Sequence, residues 1–199
     1  MNDQRKEELH RELPFLAMIG DPHLKALVER IWLRLWVESG LEHLADASWF
    51  TVTREERRTA TTLVEHIRQC AYAAIALSNV ANRQGSTVDM DLLVAGAALV
   101  DVDKLAMTNH REGTASDIAH YTLHTVYGAH IALTEGAPLP LVNIILSHSK
   151  NSGVRPQTLE AIIVHYADYA VFDMRNMKEG RLELAAEQRP KWARGVGDG

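Results

Sequence analysis

Cysteine is almost missing from this chain. Cys70 stands alone, which excludes an intrachain disulfide scaffold and a zinc site built from several thiolates. Long apolar runs are lacking as well: no stretch approaches the ~20 residues that span a bilayer, and the opening MNDQRKEELHREL is too polar for a secretion signal. A cytoplasmic protein without membrane contact is expected. Clusters of Lys or Arg are absent too. With 21 basic against 26 acidic side chains and a net charge of −5, the chain lacks the cationic footprint of phosphate-backbone binding, so bulk nucleic acid is not an expected partner. No glycine-rich phosphate loop, nucleophile elbow or Cys–His pair supports a P-loop nucleotidase or covalent catalysis.

What is present is the composition of a folded domain. The 199 residues are 46% apolar and 24% charged, and at ~150 residues per domain they suggest one core with some extra helix. Helical periodicity dominates and alternating strand patterns are missing, so an all-α fold is expected. Asp21-Pro22 opens a helix with apolar positions Leu24, Leu27, Val28, Ile31 and Leu35 that runs to Gly40, its stripe widened by Trp32 and Trp36. Thr53 with Glu56 has capping-box spacing for a long helix whose inner face carries Leu63, Ile67, Ala71, Ala74 and Ile75, with His66 beside it. The run Leu92 to Val102 reads as a helix buried on most sides and ending in charge at Asp101, Asp103 and Lys104. A polar connection from Asn109 to Ser116 leads to one helix with His120, Tyr121, His124, Tyr127 and Gly128, closed near Gly136. Leu141 to His148 follows Pro138 and Pro140, and a last helix carries Ile162, Ile163, His165, Tyr166 and Asp168. Three regions are expected: an N-terminal helical extension (1–48) packed on the core, a helical domain (49–179), and a polar tail (180–199) that frays.

The chain has 10 histidines. Separate helices deliver His66, Asp101, His124, His148 and Asp168, each in an apolar context. Burying an imidazole or carboxylate alone costs a few kcal/mol or neutralises it, so such groups must meet each other or a cation. Imidazole with carboxylate suits Zn, Fe, Mn or Co, and a bound divalent ion can polarise a phosphoryl oxygen and supply hydroxide. Any single histidine on such a helix is more often a hydrogen-bonded core or rim residue; the case rests on the ordered set. His10, His23, His43, His110 and His130 have no aligned partner and read as surface or structural. His120, one helical turn before His124, is a candidate for the same cavity, and His165, near Asp168, a candidate orienter.

From about Trp49 to Asp173 the chain resembles the HD-domain metal-dependent phosphohydrolases. A first histidine sits on a long helix, in Leu63-Val64-Glu65-His66. Where the family has a buried helix ending in a His-Asp pair, this chain has Ala97-Ala98-Leu99-Val100-Asp101-Val102-Asp103-Lys104. The family's middle histidine with a glycine one turn later matches His124-Thr125-Val126-Tyr127-Gly128. Its later His-rich turn matches Ser147-His148-Ser149-Lys150-Asn151-Ser152-Gly153, and its closing aspartate is Asp168 in Ala161-Ile162-Ile163-Val164-His165-Tyr166-Ala167-Asp168. The chain departs from the pattern at Val100, which replaces the namesake histidine, at Asp103, which replaces a glycine, and at Ser147 or Ser149, where a second histidine belongs.

The resemblance implies a helical bundle with a divalent metal (Mn, Fe, Co, Ni or Zn) held by His66, Asp101, His124, His148 and Asp168. The first site keeps His66, Asp101 and Asp168, which with water can hold an ion at reduced affinity. The second set, Asp101, His124 and His148, is largely retained. Asp101 and Lys104 are the catalytic candidates, Lys104 as a neutraliser of an oxyanion or else as a helix-end charge. Tyr121, Tyr127, Lys150 and Asn151 are expected to bind a small substrate. The implied activity is hydrolysis of a small anionic compound, a phosphate ester or nucleotide, by metal-activated water. The alternatives are a non-catalytic HD domain serving as a ligand-binding or regulatory module, motivated by Val100, and hydrolysis of a non-phosphate bond. The wide stripe on the N-terminal helix suggests core packing or a homo-oligomer face.

Overall fold

The computed structural model describes residues 2–49, 61–110 and 112–180. The architecture is all-α, as expected, and its elements follow from local signals. Helix α1 (Asn2–Glu12) leads through a 3-10 turn (Pro14–Met18) into α2 (Pro22–Ser39). Asp21 caps α2 by accepting from the His23 and Leu24 amides, and Gly40 ends it in a left-handed conformation, φ 69°. Helix α3 (Leu63–Arg83) starts at a capping box in which Thr62 accepts from the Glu65 amide and Glu65 accepts from the Thr62 amide. The box expected at Thr53 and Glu56 lies outside the described residues, as does all of the tail expected to fray except Gly180.

Helix α4 (Met90–Leu99) is the centre of the molecule. Leu93 to Leu99 are buried on every side of it, as a continuous apolar helix requires. It packs against α2, α3, α8 (Leu139–Ser147) and α9 (Leu159–Lys178). Gly96 lets α8 come close, since a Cβ there would meet Ile144 Cγ2 at 2.7 Å. Short helix α5 (Lys104–Met107) follows, then a small antiparallel hairpin, β1 (Thr108–Asn109) with β2 (Thr114–Ala115), inside the connection expected to be merely polar.

The single helix expected from Ser116 to Gly136 is two: α6 (Asp117–Tyr121) and α7 (His124–Thr134). Thr122 is extended, with φ −142° and ψ 157°, and Leu123 is extended too, with ψ 142°, so the helical ladder stops between them. His120 and His124 therefore do not share a face, and His120 is exposed, edge-on to the Tyr121 ring.

Trp32 and Trp36 are both fully buried within this chain. The stripe that suggested an oligomer face is covered by the chain's own core. Trp32 Nε1 donates to the Ala98 carbonyl at 2.9 Å, satisfying one of the carbonyls that the end of α4 leaves open. Among the described residues no helix is long and apolar enough to cross a membrane. Replacing Trp32 by Phe removes that donor and some packing, and the urea midpoint should fall by the equivalent of about 2–4 kcal/mol. An unchanged midpoint would show that the bond contributes nothing.

Candidate metal centre

Beyond α4 the chain turns abruptly. Val100 leaves the helix with φ −57° and ψ 135° and is fully buried, and Asp101 adopts a left-handed backbone with φ 61°, the one non-glycine residue to do so among those described. Aspartate tolerates this region better than most side chains, at a cost on the order of 1–2 kcal/mol. The turn points the Asp101 carboxylate into the space between α3, α7, α8 and α9.

The two oxygens of Asp101 have different surroundings. Oδ2 accepts from Trp49 Nε1 at 2.9 Å and from Lys104 Nζ at 2.8 Å, with His66 Nε2 at 3.3 Å. Oδ1 faces His148 Nε2 at 3.4 Å and His124 Nδ1 at 3.5 Å, beyond hydrogen-bond length for such groups. His66 Nε2 lies 2.9 Å from Asp168 Oδ1, and the Trp49 indole stacks on the His66 ring with centroids 3.8 Å apart. Lys104 Nζ sits 5.0 Å from the Trp49 ring centroid.

Burial by itself would raise the Asp101 carboxyl, but Lys104, His148 and His66 outweigh it and hold the group well below the usual carboxylate range. Asp168 is likewise lowered, burial being outweighed by its hydrogen bond to His66. Burial would lower His148, yet the Asp101 carboxylate carries it above the ordinary imidazole value.

The structure thus brings together all five residues singled out as ligands. One donor atom each from Asp101, His124 and His148 lies within 4.8 Å of the others, and the same holds for His66, Cys70 and Asp168. His148 Nδ1 donates to the Ile145 carbonyl at 2.7 Å, which leaves Nε2 to present a lone pair in the neutral ring. That lone pair and the Asp101 carboxylate repel unless a proton or a cation lies between them. His148 Nε2, His124 Nδ1 and both Asp103 oxygens are buried and without a hydrogen-bond partner. Such orphaned groups are what a cation-binding cradle presents, so the donor set fits a divalent ion.

Lys104 is paired with Asp101 and opens α5. Of the residues expected to bind substrate, Tyr127, Lys150 and Asn151 are half-buried, whereas Tyr121 is 88% exposed, edge-on to the His120 ring. His165 donates its Nδ1–H to the Ser147 carbonyl at 2.9 Å, so it ties α9 to the end of α8 beside His148 and does not orient Asp168. His10 pairs with Glu29, His43 with Glu8, and His110 Nε2 lies 3.1 Å from the Leu105 carbonyl, in keeping with structural roles. Sequence reasoning missed Trp49 and Cys70. No local signal marks Trp49; Cys70 was legible as the residue one helical turn after His66, and its Sγ lies 3.4 Å from His66 Nε2. Burial first, then Asp168 and Asp101, push its thiol well above the ordinary range.

The sequence profile of the HD domain family matches residues 63–172. The dihydroneopterin 2',3'-cyclic phosphate phosphodiesterase of Methanocaldococcus jannaschii is 32% identical over 114 residues, a stretch that covers 54% of this chain and 45% of that protein. The chain thus matches less than half the length of this relative. No solved structure matches it.

Because the folded state depresses Asp168, the stability this group contributes is present above its unfolded value of about 4 and is lost as pH falls through the folded value. Urea midpoints of metal-free protein between pH 7 and pH 3 should therefore fall more steeply for the parent than for Asp168→Asn. Parallel curves would remove Asp168 from the acid response.

Proposed function

Given that the chain belongs to the HD domain family, we propose that it is a metal-dependent phosphohydrolase that cleaves a small phosphate ester, with a phosphodiester such as a cyclic phosphate as the first class to test. One observation carries this reading: buried, unpartnered nitrogens of His124 and His148 converge on Asp101 Oδ1. The metal ligands are drawn from His66, Asp101, His124, His148 and Asp168. When bound, a divalent cation supplies a more acidic water and polarises a phosphoryl oxygen.

The chain's own residues do the rest. His124, Lys104 and Asp168 keep 21%, 15% and 12% of their side-chain surface exposed, so an anionic substrate meets the cluster along that rim. The ammonium of Lys104 spends one of its three protons on Asp101 and can pair a phosphoryl oxygen with another. Trp49 covers the His66 face and keeps water from the Asp101–His66–Asp168 contacts. Tyr127, Lys150 and Asn151 are wall residues in this reading. The relative named above supports the substrate class through the cyclic phosphate in its name.

The test is a panel of bis(p-nitrophenyl) phosphate, p-nitrophenyl phosphate and nucleoside 2',3'-cyclic phosphates, run on chelator-treated protein reloaded separately with Mn, Fe, Co, Ni or Zn. Turnover should depend on added metal, and Asp101→Asn should lower it at least about 100-fold. Full turnover after chelation overturns the metal dependence. Metal uptake without turnover of any phosphate ester favours the non-catalytic reading that Val100 motivates.

A further inference from the structure

Cys70 has no part in the site as described so far, yet its sulfur lies inside it. The residue is fully buried on α3, one helical turn after His66. Side chains four apart on a helix share a face, the spacing by which one helix can present two ligands to one ion. Asp168 on α9 completes a triangle. His66 Nε2 is 2.9 Å from Asp168 Oδ1 and 3.4 Å from Cys70 Sγ, and Sγ is 3.6 Å from Asp168 Oδ1.

These lengths suit a shared ion. Donor atoms on one tetrahedral zinc, with bonds of roughly 2.0–2.1 Å to nitrogen or oxygen and 2.3 Å to sulfur, stand about 3.3–3.6 Å apart. Two edges of the triangle already have that length, and the third is a hydrogen bond that an ion opens slightly. The protons are too few for the contacts. His66 Nε2 faces Asp168, Asp101 and Cys70 at once, although one ring nitrogen carries a single proton or a single lone pair. Charge is unbalanced as well. Lys104 is committed to Asp101, and among the described residues the ionic partner of Asp168 is His66 alone. The carboxylate therefore meets an imidazole and a thiol, with no ammonium or guanidinium against it, and a buried anion held in this way is costly.

We propose that Cys70 is a metal ligand, its thiolate joining His66 Nε2 and Asp168 Oδ1 as the three protein donors of one divalent ion. The inference rests on the metal-dependent reading above and deepens it. Metal–sulfur and metal–nitrogen bonds form as the S–H proton and the proton between His66 and Asp168 leave to solvent. The dication, the thiolate and the Asp168 carboxylate then sum to zero charge, which a buried centre tolerates. Three protein ligands leave a position for water, and Asp168, with 12% of its side-chain surface exposed, marks the side from which water enters. A thiolate selects Zn, Co or Fe over Mn.

The sequence makes the test direct, because Cys70 is the only cysteine. Parent, Cys70→Ser, Cys70→Ala, His66→Gln and His148→Gln proteins are stripped with chelator, kept reduced, and checked for helicity by circular dichroism. Each is titrated with Co(II), and the near-ultraviolet thiolate-to-cobalt charge-transfer band is recorded beside the count of bound metal. The parent and His148→Gln should show the band, and the two Cys70 variants and His66→Gln should lack it. Zn(II) should bind Cys70→Ser at least about tenfold more weakly than the parent, with a smaller change for Mn(II). A thiol that merely fills space would alter the thermal midpoint and give no band. Should the variants fail to fold, X-ray absorption of the zinc-loaded parent decides, with a sulfur neighbour at about 2.3 Å expected.

Cobalt bound by the parent without the band, a band that survives His66→Gln, or a zinc shell of nitrogen and oxygen alone each overturns the proposal and leaves the phosphohydrolase reading intact. Failure of the parent to bind Co(II), Zn(II) or Mn(II) overturns both.

Discussion

A buried carboxylate with five nitrogen donors around it is the constraint on which the rest of the structure depends. Asp101 is almost without solvent, and an isolated ion in that place would cost several kcal/mol or take up a proton. Trp49, Lys104 and His66 meet one oxygen; His124 and His148 stand off the other. The charge is held by five neighbours from separate parts of the chain, and each of them must be brought to the same point.

The fold supplies that convergence through rigid elements. Helix α4 is apolar all round and is clasped by α2, α3, α8 and α9, so its C-terminal end is fixed in position. Trp32, from the N-terminal helices, closes the Ala98 carbonyl one turn before Asp101. Helix α2 thus braces the end of α4 that leads into Asp101. His165 fastens α9 to the last turn of α8. The left-handed turn at Asp101 is the local strain that this framework sustains, as positions of functional constraint commonly show.

Val100 and Asp103 stand on either side of Asp101 and its neighbour Val102, both buried. Val100 is fully buried and apolar, so it adds packing at the place where the resemblance leads one to expect an imidazole. Asp103 Oδ2 lies 3.4 Å from His124 Nδ1.

Much of this was legible from residue order. The caps at Asp21 and Gly40, the apolar run of α4, and His66, Asp101, His124, His148 and Asp168 as a set are local or pattern signals. They survive folding because each depends on near neighbours or on chain order. The break between α6 and α7 was not legible, since helical spacing continues through Thr122 and Leu123 while their backbone does not. Nor was the partnership of Trp49 with both His66 and Asp101, which joins residues distant in sequence. The sequence alone determined the helical class and which side chains could carry charge into the core. Which oxygen of Asp101 is saturated and which is open was decided only by tertiary packing, because hydrogen bonds form between atoms that long-range contacts bring within about 3 Å.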